Sequence, residues 1–270
     1  MASPTALPGR GLTLGITLAY LSLIVLIPLA GLVAMAASDS AAQAWALLSS
    51  PRTLAAFRVS FGTAALAALA NVPLGLLLAW VLTRYDVPGR RLLDAAIDLP
   101  LALPTAVAGI ALATLFADDG WIGRLLAPLG IAVAYTPAGI FVALLFTGLP
   151  FVVRTVQPVL AALDRASEEV AMTLDATPWQ LLRLVILPPI WPAALAGGAL
   201  AFARGVGEYG SVIFIAGNRP GISEIVPLLI VARLEQFDYP GAALLGTVML
   251  SLSLLVMLGV GLLDRGARHA

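Results

Sequence analysis

The sequence predicts an all-α integral membrane protein with six transmembrane helices. Three observations carry that prediction. Hydrophobic residues make up 60% of the 270 and charged residues 11%, with a mean hydropathy of +1.00. Soluble domains run near half apolar and a quarter charged, so this composition belongs in a bilayer. Six apolar runs are each long enough to cross one, which takes about 20 residues at 1.5 Å rise. Between the fourth and fifth runs lies a polar stretch, 164–183, holding six charged residues.

The first run, 12–36, carries no charge. Ala34-Met35-Ala36 resembles a small-residue cleavage site, but the run exceeds the 7–15 residues of a signal core. A retained anchor helix is expected. The second run, 59–82, contains Asn71 and Pro73. The third, 95–116, is interrupted by Asp98, Pro100 and Pro104. The fourth, 137–160, contains Pro150 and Arg154, and the fifth, 190–216, contains Arg204 and Glu208. The sixth, 241–263, is clean. The domain reading that follows is an N-terminal helix and external loop over 1–56, a membrane domain over 57–263, and a tail over 264–270.

Arginine counts set the orientation. With the N-terminus inside, Arg10, Arg84, Arg90, Arg91, Arg165, Arg183, Arg265 and Arg268 are cytoplasmic. Arg52, Arg58, Arg124, Arg219 and Arg233 are then external. Both termini and the 164–183 stretch fall in the cytoplasm. The external loops, 37–56, 117–136 and 217–240, are too short for a ligand-binding domain.

Several function classes are excluded. Formal net charge is zero, so no nucleic-acid partner is implied. There is no cysteine, and the single histidine is His269, so neither thiolate chemistry nor a histidine metal site is expected. No cofactor is expected. There is no lysine, which removes a P-loop and with it a Walker-type ATPase.

The polar stretch reads as two short helices joined by a turn. Ser167 with Glu168 and Glu169 is a candidate helix start, with carboxylates near the positive end of the dipole. Ala171 and Leu174 form one apolar edge. Trp179, Leu182 and Val185 form another. Asp175-Ala176-Thr177-Pro178 breaks the chain between them, and Pro178 suits a first helical turn. Such a hairpin can dock in a cleft. A solvated loop with helices lying on the membrane surface is the alternative.

Arg204 and Glu208 are i and i+4, so they share a helix face. A charge that deep costs about 2.5–3.5 kcal/mol even on lenient scales and must face a partner or a water-filled cavity. Two readings stand. Arg204, Glu208 and Ser211 line an anion pathway, or Arg204 and Glu208 are an internal ion pair that locks helices. Asp98-Leu99-Pro100 and Leu187-Pro188 open the third and fifth runs, and both are candidates for pathway lining or plain helix entries.

Glu169-Val170-Ala171, then Asp175, then Val185-Ile186-Leu187-Pro188 resemble the EAA loop of ABC importer permeases. That pattern is E-A-A, three residues, G, nine residues, and I-x-L-P, and the spacing here agrees. Val170 and Asp175 depart from it. Where the turn needs a left-handed backbone, Asp is among the few non-Gly residues that tolerate it. Longer blocks resemble the T (or U) permease subunit of sulfate/thiosulfate ABC importers. They are Leu82-Thr83-Arg84-Tyr85, Pro88-Gly89-Arg90, the run 98–109 from Asp98 to Gly109, the run 150–160 around Arg154, the run 207–218 from Gly207 to Asn218, and the run 233–240. Molybdate and tungstate permeases are similar enough to share parts of them.

The resemblance implies a type I ABC importer permease fold. It implies that Glu168, Glu169, Ala171, Asp175, Leu187 and Pro188 dock an ATPase. It also implies the partners: a second, W-type permease subunit, a dimeric ABC ATPase, and a periplasmic or lipid-anchored sulfate-binding protein, all at the inner membrane. A secondary anion transporter would also use broken helices and an intramembrane charge pair, but six spans and the EAA-like loop argue against it. A membrane enzyme would need a convergent cluster of reactive side chains, and the acidic residues here are scattered.

Overall fold

The structure is a computed structural model that describes residues 10–267, with the side chains of all but Arg10, Arg165 and 263–267. Every regular element among the described residues is helical. In chain order they are α1 (Gly11–Ala36), α2 (Ala41–Leu48), α3 (Pro51–Arg84), α4 (Arg90–Ile97), α5 (Leu99–Ala102), α6 (Thr105–Phe116) and α7 (Gly123–Leu126). Then come α8 (Pro137–Ala162), α9 (Arg165–Thr173), α10 (Pro178–Val206), α11 (Val212–Ile215), α12 (Val226–Glu235) and α13 (Tyr239–Ala267).

Five of these, α1, α3, α8, α10 and α13, are long and apolar enough to cross a membrane. The third expected span is present as three pieces, α4, α5 and α6. The breaks fall at Asp98 and at Leu103-Pro104. Proline has no N–H, and it pushes the preceding residue out of the α region. Leu103 accordingly sits at φ −78°, ψ 139°.

Two further differences from the sequence reading concern the opposite end of the bundle from the 164–183 hairpin. The fifth helix stops at Val206, short of the expected 216. Gly205, Gly207 and Gly210 weaken the helix there, and the chain turns before α11 resumes. The expected external loop 217–240 contains α12, whose Val226, Pro227 and Leu229 are buried. Its start is pinned to α3 by Val226 N donating to Ser60 Oγ at 2.9 Å.

The core lies where α3, α8 and α10 pack together. It is built from Ala64, Ala67, Ala79, Ile140, Ala143, Val152, Val153, Ala194 and Ala201, all buried. Small residues let membrane helices approach closely, where packing rather than a hydrophobic difference holds them. A Cβ on Gly197 would come within 2.7 Å of the Val152 backbone. Helix α1 is exposed along its length and packs at the rim, chiefly on α13. The two broken elements meet: a Cβ on Gly109 of α6 would lie 2.4 Å from the Ser211 carbonyl oxygen.

Candidate functional site: the hairpin and the buried charges

The hairpin begins at Asp164. Its Oδ1 accepts from Ala166 N at 2.9 Å, so Asp164 caps α9, and not Ser167 as the sequence reading expected. Leu163 and Asp164 are extended after α8 ends, and Asp164 is the first capping residue the chain then offers. Helix α9 closes in a Schellman arrangement. Ala176 N donates to Ala171 O and Asp175 N to Met172 O, both at 3.1 Å. Asp175 is left-handed, at φ 58°. This is the role that glycine fills most cheaply and Asp tolerates.

Thr177 then caps the next helix. Its Oγ1 accepts from Gln180 N, and Gln180 Oε1 accepts from Thr177 N at 2.8 Å. Pro178 takes the first turn as expected. Leu187-Pro188 does not open a helix. It lies inside the continuous α10, just after a π turn over Leu181–Ile186. Prolines 188 and 189 cannot donate and would clash with carbonyls four residues back, at Leu184 and Val185, and the widened turn accommodates them. Leu181, Leu182 and Ile186 pack with Leu160, Ile190 and Trp80, which roots the second arm of the hairpin in the bundle.

The expected docking residues do not share one environment. Glu169 and Asp175 are exposed, as is Pro188, while Ala171 and Leu187 are half-buried. Leu174 and Trp179 are 77% and 66% exposed, and Val170 is also exposed, so the outer face of the hairpin is apolar and uncovered. Leu182 and Val185 of the second expected edge are half-buried instead. Glu168 is turned inward and ion-paired with Arg84 at the end of α3.

Near the other end of α10, Arg204 is ion-paired with Glu208. Arg204 occupies the last helical turn, where a cation complements the dipole. Glu208 is buried, and its Oε1 accepts from both Ser211 N and Ser211 Oγ at 2.9 Å. Ser60, Thr63, Ile140 and Leu144 close around the carboxylate and leave no water-sized void. Ser211 is fully buried as well, whereas the Arg204 side chain is 39% exposed. The three residues named from the sequence are therefore one cluster, of which Arg204 alone reaches a surface.

A second cluster escaped the sequence reading. Arg154 of α8 makes five guanidinium hydrogen bonds, four of them to the broken third span and one to Gln157 on its own helix. Nε and Nη2 donate to Asp98 at 2.9 and 2.6 Å. Nη1 donates to Asp94 and Gln157 at 2.8 and 2.7 Å, and Nη2 also donates to the Asp94 carbonyl at 2.9 Å. Opposite charges in two apolar runs were the available signal. At the far end, Arg52 makes a fork to the buried Glu224 at 2.8 and 2.6 Å. Arg233 donates to Asp238 at 2.7 Å, which with the Gly241 N–H holds the Asp238 carboxyl below the usual carboxylate range despite partial burial. No group of acidic or histidine side chains among the described residues could hold a metal ion.

Long apolar helices define a multi-pass membrane protein, with a break at which two elements meet and an exposed apolar hairpin at one end. Residues 71–269 match the family described as binding-protein-dependent transport system inner membrane component, and the chain belongs to that family. It is 49% identical over 264 residues to the sulfate transport system permease protein CysT of Escherichia coli, covering 98% of this chain and 95% of the relative. It is 47% identical over 256 residues to CysT of Synechocystis, covering 94% and 90%. Among solved structures, a bacterial ABC transporter involved in import of the acidic polysaccharide alginate superposes with a TM-score of 0.76 at 16% identity, covering 94% and 93%. The MetNI methionine ABC transporter in inward-facing form gives 0.60 at 16% identity, covering 85% and 99%. These two show the fold.

Proposed function

We propose that this chain is one permease subunit of an ATP-driven, binding-protein-dependent importer of sulfate or thiosulfate. The observation that carries the mechanical part is the continuity of α10. One helix runs from Pro178 in the hairpin to Arg204 at the break. The 26 rises between them, at 1.5 Å each, span about 39 Å. A displacement of the hairpin is a displacement of the Arg204 end, because a helix rooted in a packed core moves as a unit. The permease itself hydrolyses nothing. A dimeric ATPase docks on the exposed face formed by Val170, Leu174 and Trp179, with Glu169 and Asp175 at its rim.

The substrate class rests on the extended identity with sulfate permeases. A second, W-type permease subunit completes the pathway, and a sulfate-binding protein delivers the anion to the end bearing α2, α7 and α12. The hairpin and both termini lie on the cytoplasmic side of the inner membrane. Arg204 draws a dianion to the break. Its pairing with Glu208 keeps that attraction weak, as passage requires, since tight binding midway would trap the ion.

Radiolabelled sulfate uptake in a strain lacking this chain tests the reading. Plasmid-borne chain restores uptake, and excess thiosulfate competes while molybdate does not. Competition by molybdate alone would move the substrate to the molybdate and tungstate class. Reporter fusions after Gly89 and Asp175 read cytoplasmic, and fusions after Asp119 and Asn218 read external. An external signal at Asp175 would remove the mechanism, because no cytoplasmic ATPase could reach the hairpin.

A further inference from the structure

Glu168 sits one residue from Glu169 but is turned about 100° away around the α9 axis. Its side chain is 15% exposed, and that of its partner Arg84, the last residue of α3, is 11% exposed. The Arg84 guanidinium carbon lies 5.8 Å from the centre of the Trp80 ring, one turn earlier on α3. That is cation–π distance. Trp80 in turn packs with Leu160, Ile186 and Ile190, the cluster that binds the end of α8 to the π turn of α10. Arg84 Nε is buried without an acceptor, so the guanidinium depends on Glu168 and the Trp80 face. The Glu168 carboxylate is thus engaged by Arg84, whereas Glu169 is exposed.

The two arms of the hairpin are attached differently. The second arm is continuous with α10. The first, α9, joins α8 only through Leu163 and Asp164, both extended. An extended pair is a joint that absorbs rotation. A push on α9 reaches α10 through its packing on the π turn, but the joint does not pass it to α3. We infer that Glu168 is an internal strut, not an ATPase contact: through Arg84 it ties α9 to α3, so that a displaced hairpin moves α3 together with α10. This rests on the coupling role proposed above. It makes Glu168 and Arg84 positioning residues for transport, and it divides the two adjacent carboxylates between force transmission and docking.

The assembled complex of both permeases, the ATPase and the binding protein tests it. Glu168→Gln keeps the ATPase through purification. Sulfate uptake falls at least about ten-fold, and hydrolysis no longer responds to the loaded binding protein. The exchange Arg84→Glu with Glu168→Arg recovers uptake. The chain has no cysteine, so Arg84→Cys with Glu168→Cys can be bridged by a short bis-thiol reagent, and bridging raises uptake of that variant. Loss of the ATPase from the Glu168→Gln complex would make Glu168 a docking contact and overturn the inference. Unchanged uptake would do so too, as would failure of both the exchange and the bridge to restore transport. Failure of the coupling role itself shows elsewhere: Leu174→Asp with ATPase still bound would refute docking on this hairpin, whatever Glu168 does.

Discussion

Arg204→Gln separates an anion pathway from a structural ion pair. The substitution removes the positive charge beside Glu208 and keeps an amide donor. Orphaning a buried charge generally costs about 3–5 kcal/mol. Two features of this site lower that figure. The Arg204 side chain is 39% exposed, so the pair is only partly desolvated where that side faces the proposed pathway. The Glu208 carboxylate also retains both Ser211 donors at 2.9 Å, and hydrogen bonds to a charged group contribute about 1.5–3 kcal/mol each. The remaining cost is about 1–2 kcal/mol, or a fall of a few degrees in Tm. That is too little to dissolve the complex. The assay is paired: Tm of the purified complex in detergent, and sulfate uptake in cells. The expected outcome is an intact complex, a small fall in Tm, and uptake reduced at least about ten-fold, the effect of 1.4 kcal/mol on a barrier. Wild-type uptake at lowered Tm would refute the pathway role. So would full recovery of both readouts in the double variant Arg204→Gln with Glu208→Gln, which would show that the pair only locks the break.

Four further outcomes are expected. Glu169→Arg inserts normally but loosens the ATPase, read by co-purification and by loss of sulfate-stimulated hydrolysis. Asp175→Val puts a β-branched residue at φ 58°, which costs about 1–2 kcal/mol and exposes the hairpin to limited proteolysis, while Asp175→Gly does not. Arg154→Gln leaves Asp94 and Asp98 facing each other and destabilises by about 1–3 kcal/mol, allowing for their partial exposure; Arg154→Lys, with three donors instead of five, recovers little of the lost Tm. Asp238 titrates lower in the folded chain than in the unfolded one, so its contribution is complete above about pH 4 and is lost as pH falls further. An Asp238→Asn variant should lack that acid-dependent component in a Tm-against-pH series.

What the sequence made legible follows physical range. Apolar length identified the long spans, because a bilayer sets one number for every helix. The turn of the hairpin is legible because turns are local: Pro178 in a first helical turn, and the left-handed Asp175, depend on neighbours within a few residues. Ser167 was chosen over Asp164 because both residue types cap, and only the end of α8 decides which comes first. Helix α12 was invisible. Its ten residues are too short to span, two of them, Arg233 and Glu235, are charged, and its start is fixed by Ser60, 166 positions away. The Arg154 cluster was hidden in the same way, since Asp98 lies 56 positions off and spacing carries no trace of that pairing. The prolines at 100, 104 and 188 were visible, but whether a proline opens a helix, breaks it or is absorbed in a π turn is settled by packing. The pair Arg204 and Glu208 is legible because ionisable groups in an apolar run need partners.

The central claim is that ATP hydrolysis on the hairpin side drives an oxyanion through this chain and its companion permease. Proteoliposomes holding both permeases and the ATPase, with sulfate-loaded binding protein on one face and ATP on the other, test it most directly. With proton and sodium gradients clamped to zero, the account predicts radiolabelled sulfate accumulation that needs ATP on the hairpin side and stops when it is exhausted. Accumulation driven by an imposed ion gradient without ATP would contradict it.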